Sequence, residues 1–255
     1  MKPVKYIADH LRRVLVNGAS APHTAEVEHF FKEEIKSRGW YTNEIRKLAR
    51  RFERVILGDA GLEYLVAVAD DLFQGKVLEE KVLAVFLLER SVGEFGGKEF
   101  KLFESWLDRV STWADHDALI HYLIGPMIAR DESHRKSSFR WAKSRSRWHR
   151  RAAAVSLIRT TRECRGFDDV VRMSDALLTD NDDMVQKGLG WLLRETAKYD
   201  AERTVPYLMR IREHAPRLVL RTACETLGPE MRKKVLGERT AKRNQKQRHA
   251  SAKRK

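Results

Sequence analysis

Asp182–Asp200 reads DDMVQKGLGWLLRETAKYD, and its periodicity decides the fold. Val185, Leu189, Leu192 and Leu193 recur at helical spacing, which puts an apolar stripe on one side of an α-helix. Asp182 stands where an N-cap acceptor belongs. Lys187, Trp191, Arg194 and Lys198 follow one another at intervals of four, three and four residues and share the other face. A tryptophan among three cations, away from the core, has two readings. It covers a neighbouring helix while the cationic stems run past it, or it is an aromatic platform within a phosphate-binding surface.

The same period recurs along nearly the whole chain. Candidate helices run over 3–16, 22–38, 43–57, 60–73, 79–93, 97–110, 113–129, 133–145, 147–163, 167–179, 182–199, 201–214, 216–227 and 229–237. The breaks between them carry turn residues, as in NGASAP, RGWYT, LGDAG, FGGKE, RGFDD and GPE. No alternating strand pattern competes. Helices of this length joined by short turns predict an all-α fold and fit a HEAT-like helical-repeat solenoid (an α-α superhelix). No strict sequence repeat accompanies it, so an irregular helical domain is the other reading. The expected organisation is a single domain over 1–237 and a basic C-terminal tail, 238–255, that lacks apolar anchors and is expected to be disordered.

Composition narrows the partners. The 255 residues carry a net charge of +14 with 34% charged and 42% hydrophobic residues, which points to polyanions, nucleic acid before anionic membrane surface. The tail contributes eight Lys/Arg against one Glu, so the remaining body is itself basic. Cys164 and Cys224 lie far apart outside any CxxC pattern, as expected of structural thiols in a reducing, cytoplasmic setting. The N-terminal MKPVKYIADHLRRVLVNG has charges throughout, unlike a signal peptide or a membrane span.

Two further stretches each have one unusual face. In Ser144–Arg162, SRSRWHRRAAAVSLIRTTR, Ala152, Val155 and Ile158 suit the core. Arg147, Arg151 and Arg162 line one side, with Arg159 slightly off that line and Arg150 beside it. No carboxylate interrupts the row along the helix, and helical-turn spacing suits successive phosphates. In Ser111–Leu123, STWADHDALIHYL, Trp113 and Asp117 are i, i+4 neighbours and His121 continues the line. A core tryptophan and a carboxylate opposing the helix dipole would explain them without chemistry. Metal binding is not expected, because His116 and His121 are splayed by five residues and no Cys or second carboxylate completes a set. P-loop, GxGxxG, HExxH and GxSxG motifs are absent from the sequence.

Three of these pieces, WADHD, WHRRAA and VQKGLGWLLRETAK, resemble in that order the DNA alkylation repair enzymes of the AlkD type, HEAT-like-repeat DNA glycosylases. The resemblance runs weakly from about residue 25 and more firmly from Trp113 to about Lys234. It implies that residues 1–237 form a glycosylase domain with Trp113, Asp117, Arg151 and Trp191 as its catalytic set. Arg159, Arg194 and Lys198 match backbone-contacting positions of the family, and Arg147, Arg150, Arg162 and Lys187 join them as candidate DNA contacts. Phe30 stands where better-known members carry Tyr, and Tyr41 where they carry Gln, so contacts near the lesion are expected to differ.

The implied substrate is double-stranded DNA containing N3- or N7-alkylated purines, handled by a monomer without metal, cofactor or membrane. A cationic base is already a good leaving group, so no strong general acid is required. As the N-glycosidic bond breaks, positive charge builds on the deoxyribose, and a fixed carboxylate, Asp117, stabilises that charge more than the ground state. It can also orient or deprotonate the attacking water. Indole faces at Trp113 and Trp191 favour a cationic base or sugar by roughly 0.5–2 kcal/mol each, and Arg151 would hold the adjacent phosphate. The resemblance further implies excision without a base-flipping pocket. The four residues must therefore gather at one point of a cationic concave wall. The competing readings are a non-catalytic HEAT-like protein that binds damaged or branched DNA or RNA, and a protein-interaction scaffold. Strand cleavage through a lysine is not expected, since no lysine is predicted in apolar surroundings.

Overall fold

The computed structural model of the chain describes residues 2–31, 34–162 and 166–237. Among them the regular structure is helical, apart from one isolated bridge between Lys36 and Val77. Cys164 and the tail from 238 to 255 lie outside the described residues. Packing divides the chain into two units, Met1–His134 and Arg135–Lys255.

The first unit contains α1 (Val4–Asn17), α2 (Ala21–Phe30), α3 (Thr42–Phe73), α4 (Leu78–Leu88), α5 (Gly97–Trp106), α6 (Trp113–Leu119) and α7 (Gly125–Arg130). Its centre is α4, LEEKVLAVFLL, buried from Glu79 to Leu88. Each of its large apolar side chains contributes about 1.5–3 kcal/mol by leaving water. Three charges are buried with them, and each is answered. The Glu79 carboxylate accepts from the Ser37 hydroxyl at 2.6 Å and from the backbone N–H groups of Arg38 and Gly39 at 2.9 and 3.0 Å. Glu80 accepts from Arg12 and Arg38 at 3.3 and 3.2 Å. Lys81 reaches forward to the start of α6.

The carboxylate of Glu79 explains one departure from the sequence reading. The helix expected over 22–38 stops at Phe30, and the described residues from 34 to 41 are non-helical, with Ser37–Gly39 held on Glu79. Gly39 has φ +70° there, and a Cβ would come within 2.3 Å of the Ser20 carbonyl oxygen, so the turn needs glycine. The LGDAG break is present inside α3, where Gly61 (φ +79°) kinks two helical halves.

The helix expected over 113–129 is continuous but changes pitch: Ile120–Ile124 is π-helical, and the Gly125 N–H donates to the Ile120 carbonyl. Pro126 offers no N–H to the preceding turn, and a locally widened ladder accommodates that loss.

α8 (Glu132–Trp141) spans the boundary, and the second unit continues with α9 (Arg147–Val155), α10 (Ile158–Thr161), α11 (Phe167–Leu177), α12 (Asp183–Tyr199), α13 (Ala201–Ile211), α14 (Arg217–Ala223) and a last helix over 229–237. The single helix expected over 147–163 is broken at Ser156 and Leu157. Within this unit α12 packs on α9 and α14. Val185, Leu189, Leu192 and Leu193 are fully buried, and Ala152, Val155 and Ile158 face inward as their spacing predicts. Gly190 permits the approach of α14, since a Cβ would stand 2.6 Å from that of Thr222.

Candidate active site

One group of candidate residues lies at the start of α6, in the first unit. Thr112 is its N-cap, and Asp115 closes a capping box: its Oδ1 accepts from the Thr112 N–H at 2.7 Å and hydroxyl at 2.6 Å. The other oxygen accepts from the Ser111 N–H at 3.0 Å and from the Lys81 ammonium at 2.9 Å. The carboxylate that serves this helix terminus is thus Asp115. Asp117, half a turn later, is released from that duty.

Asp117 keeps 19% of its side chain exposed, and its Oδ1 lies 2.7 Å from Nδ1 of His116, a fully buried imidazole. Trp113, half-buried, stacks on Phe31 with centroids 5.0 Å apart and planes 15° apart. Phe30 meets the same indole edge-on at 6.0 Å and is 72% exposed. Trp113 is thus neither a core residue nor isolated. Tyr41 is exposed and stacks on His23 at 3.9 Å. A cleft of about 510 Å³ runs past Lys36, Lys76, Arg109, Ser111 and Thr112, but neither Trp113 nor Asp117 lines it.

Lys81 is a buried lysine, yet its ammonium does not lie in apolar surroundings. It is 3% exposed, and its ammonium donates to the Arg109 carbonyl, the Ser111 hydroxyl and Asp115. An ammonium with three acceptors has no lone pair to offer a sugar, so a buried lysine here is structural.

A separate group of candidate residues, in the second unit, lies on α9 and α12. Arg151 is 5% exposed and donates to the Met184 carbonyl at 2.7 Å. Gly188 makes room for it, because a Cβ there would stand 3.1 Å from Arg151 Cγ. Trp191 is half-buried one turn further along α12. Trp113 and Asp117 thus belong to one unit, Arg151 and Trp191 to the other.

The arginine row is less bare than it looks along one helix, because carboxylates arrive from neighbouring segments. Arg150 bonds Asp180 at 2.6 Å, Arg147 lies 3.7 Å from Asp182, and Arg162 lies 3.6 Å from Glu195. On α12, Lys187 lies 3.7 Å from Asp183, Lys198 bonds Glu195 at 2.6 Å, and Arg194 pairs with Glu225 and Glu195. Burial alone would raise the Glu195 carboxyl, but the hydrogen bond from Lys198 and the charges of Lys198, Arg162 and Arg194 outweigh it and hold it below the ordinary value. Arg159 is exposed and has no side-chain ion pair among the described residues.

Sequence reasoning missed four residues: Phe31, His116, Asp115 and Lys81. Asp115 was legible, since a Thr followed three positions later by an acid is a capping signature. Phe31 and Lys81 depend on contacts across the fold, and His116, weighed in the sequence only as a metal ligand, depends on how its ring turns toward its neighbour Asp117.

A family model described as "DNA alkylation repair enzyme" matches residues 11–227. The chain belongs to the DNA alkylation repair enzyme family. In this member of the family the match takes in both units and all four of Trp113, Asp117, Arg151 and Trp191. A solved structure described as "Predicted DNA alkylation repair enzyme from Enterococcus faecalis" is similar in fold, with a TM-score of 0.74 at 17% identity, covering 83% of this chain and 97% of that one. A search of curated proteins gave no match. Among the described residues of this family member, no helix is long and apolar enough to cross a membrane, and no three His, Cys, Asp or Glu side chains are grouped to hold a metal ion.

Proposed function

We propose that the chain is a monofunctional DNA glycosylase that hydrolyses the N-glycosidic bond of positively charged N3- or N7-alkylated purines in duplex DNA. Residues 1–237 act on this reading as one HEAT-like-repeat domain whose basic surface holds the duplex. The observation that carries it is Asp117: a carboxylate with solvent access, not consumed by helix capping, one turn from a partly exposed indole, in a chain of an alkylation repair family.

The cationic purine leaves with the bonding electron pair and becomes neutral, while C1′ of the sugar gains oxocarbenium character. Asp117 is the fixed counter-charge to that species, and its effect is largest at the transition state. Water adds to C1′, and its proton passes to the carboxylate or to solvent. Trp113 and Trp191 present electron-rich faces to the cationic base or sugar. Arg151, already immobilised by Met184 and Gly188, would hold a phosphate in register with little further ordering. Arg159, exposed and unpaired among the described residues, is suited to the backbone. Arg147, Arg150, Arg162, Lys187, Arg194 and Lys198 contact it by exchanging carboxylate partners for phosphate. Phe30 and Tyr41 shape the lesion surroundings, and no base-flipping pocket takes part.

The test is direct. Methylated duplex DNA is incubated with the protein and free bases are quantified by mass spectrometry. Release of 3-methyladenine or 7-methylguanine above the spontaneous rate is expected. Binding that falls steeply with salt but releases no base would instead identify a non-catalytic nucleic-acid-binding protein.

A further inference from the structure

We propose that His116 is a positioning residue for Asp117: its imidazole anchors the carboxylate through Nδ1 and thereby sets the rate of base excision. This rests on the glycosylase reading above and adds a residue that neither the sequence nor the family match singled out.

The pair lies 2.7 Å apart, and the imidazole is fully buried whereas the carboxylate retains 19% exposure. Successive side chains on a helix project about 100° apart and do not ordinarily face each other. Contact between positions 116 and 117 therefore means that the two side chains turn toward one another, and helical spacing alone does not supply it. An ionised carboxylate can only accept, so in that state Nδ1 carries the proton and the tautomer is fixed. The bond approaches Asp117 from the protein interior. It restrains a carboxylate that keeps part of its surface exposed.

That restraint matters for the reaction proposed. A counter-charge stabilises a developing cation only if it is already in place, because a carboxylate that must reorient loses much of its advantage. The start of the helix is also held: Thr112, Asp115 and Lys81 bond one another at the first turn of α6, directly ahead of Asp117.

The experiment compares two variants in single-turnover excision on a defined N7-methylguanine duplex, with DNA affinity measured in parallel. His116→Leu fills a similar space without a donor. His116→Asn places an amide N–H at the atom where Nδ1–H stood, two bonds from Cβ. The expected result is a loss of about tenfold or more in the excision step for His116→Leu with unchanged DNA affinity, and recovery of most of the rate in His116→Asn. Nitrogen-15 correlation spectra should also show a protonated Nδ1 at His116 that changes in Asp117→Asn. Wild-type rates in His116→Leu, equal losses in both variants, or an unprotonated Nδ1 would overturn the positioning role while leaving the glycosylase reading intact. Wild-type protein that releases no base would overturn that reading and the positioning role with it.

Discussion

Replacing Lys81 by Met tests how the start of α6 is held. Lys81 and Asp115 are 3% and 1% exposed and stand 2.9 Å apart. At that distance and an effective dielectric of about 20, their attraction is about 6 kcal/mol. Desolvating both ions offsets much of this, and removing one member of such a pair typically costs about 3–5 kcal/mol, because the other charge stays buried. Asp115 would keep its donors from Ser111 and Thr112, which sets the expected loss for Lys81→Met near the lower end, about 3 kcal/mol. Urea unfolding followed by circular dichroism measures it. Lys98→Met is the control, since the Lys98–Glu63 pair is open to solvent and should contribute almost nothing. Because Trp113 and Asp117 sit on the short helix whose start Lys81 anchors, excision should also fall at temperatures where the variant is still folded. A Lys81→Met protein within about 1 kcal/mol of wild type, the range of an exposed pair, would refute the reasoning.

Gly188→Ala should press its new methyl on Arg151, 3.1 Å away, and slow excision about tenfold, while its melting temperature changes little because alanine favours the helix. Retention of the full rate would mean that Arg151 tolerates displacement. Glu195 has a carboxyl held below its ordinary value of 4.5. Its contribution to stability is therefore complete above that value and is lost as the pH falls through the lower folded value. Glu195→Gln should be less stable than wild type at neutral pH, with the gap closing in acid, as read by denaturant titrations across that range. Burial pushes the Cys224 thiol up to about 11, so in a Cys164→Ser background a thiol reagent at mildly alkaline pH should label Cys224 only after unfolding. Rapid labelling of the native protein would contradict its buried placement.

Much of the fold was legible because helical burial is written in periodicity. The stripe of Val185, Leu189, Leu192 and Leu193 and the inward face of Ala152, Val155 and Ile158 follow from spacing alone. What a helix does at its ends or against a partner depends on residues far away in sequence. The end of α2 and the non-helical course of 34–41 are explained by Glu79, some forty positions later. The arginine row acquires Asp180, Asp182 and Glu195 only when neighbouring helices are in place. Trp113 and Asp117 could be nominated from the sequence, but the observation separating Asp117 from an ordinary helix-terminal carboxylate is that Asp115 already fills that role.

The claim that Asp117 drives removal of a cationic base is tested most directly by timing the release of 7-methylguanine from a defined duplex under single-turnover conditions, wild type against Asp117→Asn. The wild-type protein should outpace spontaneous depurination, with the variant slower by about two to three orders of magnitude at undiminished DNA affinity. Equal rates in the two proteins, or no release by either, would contradict it.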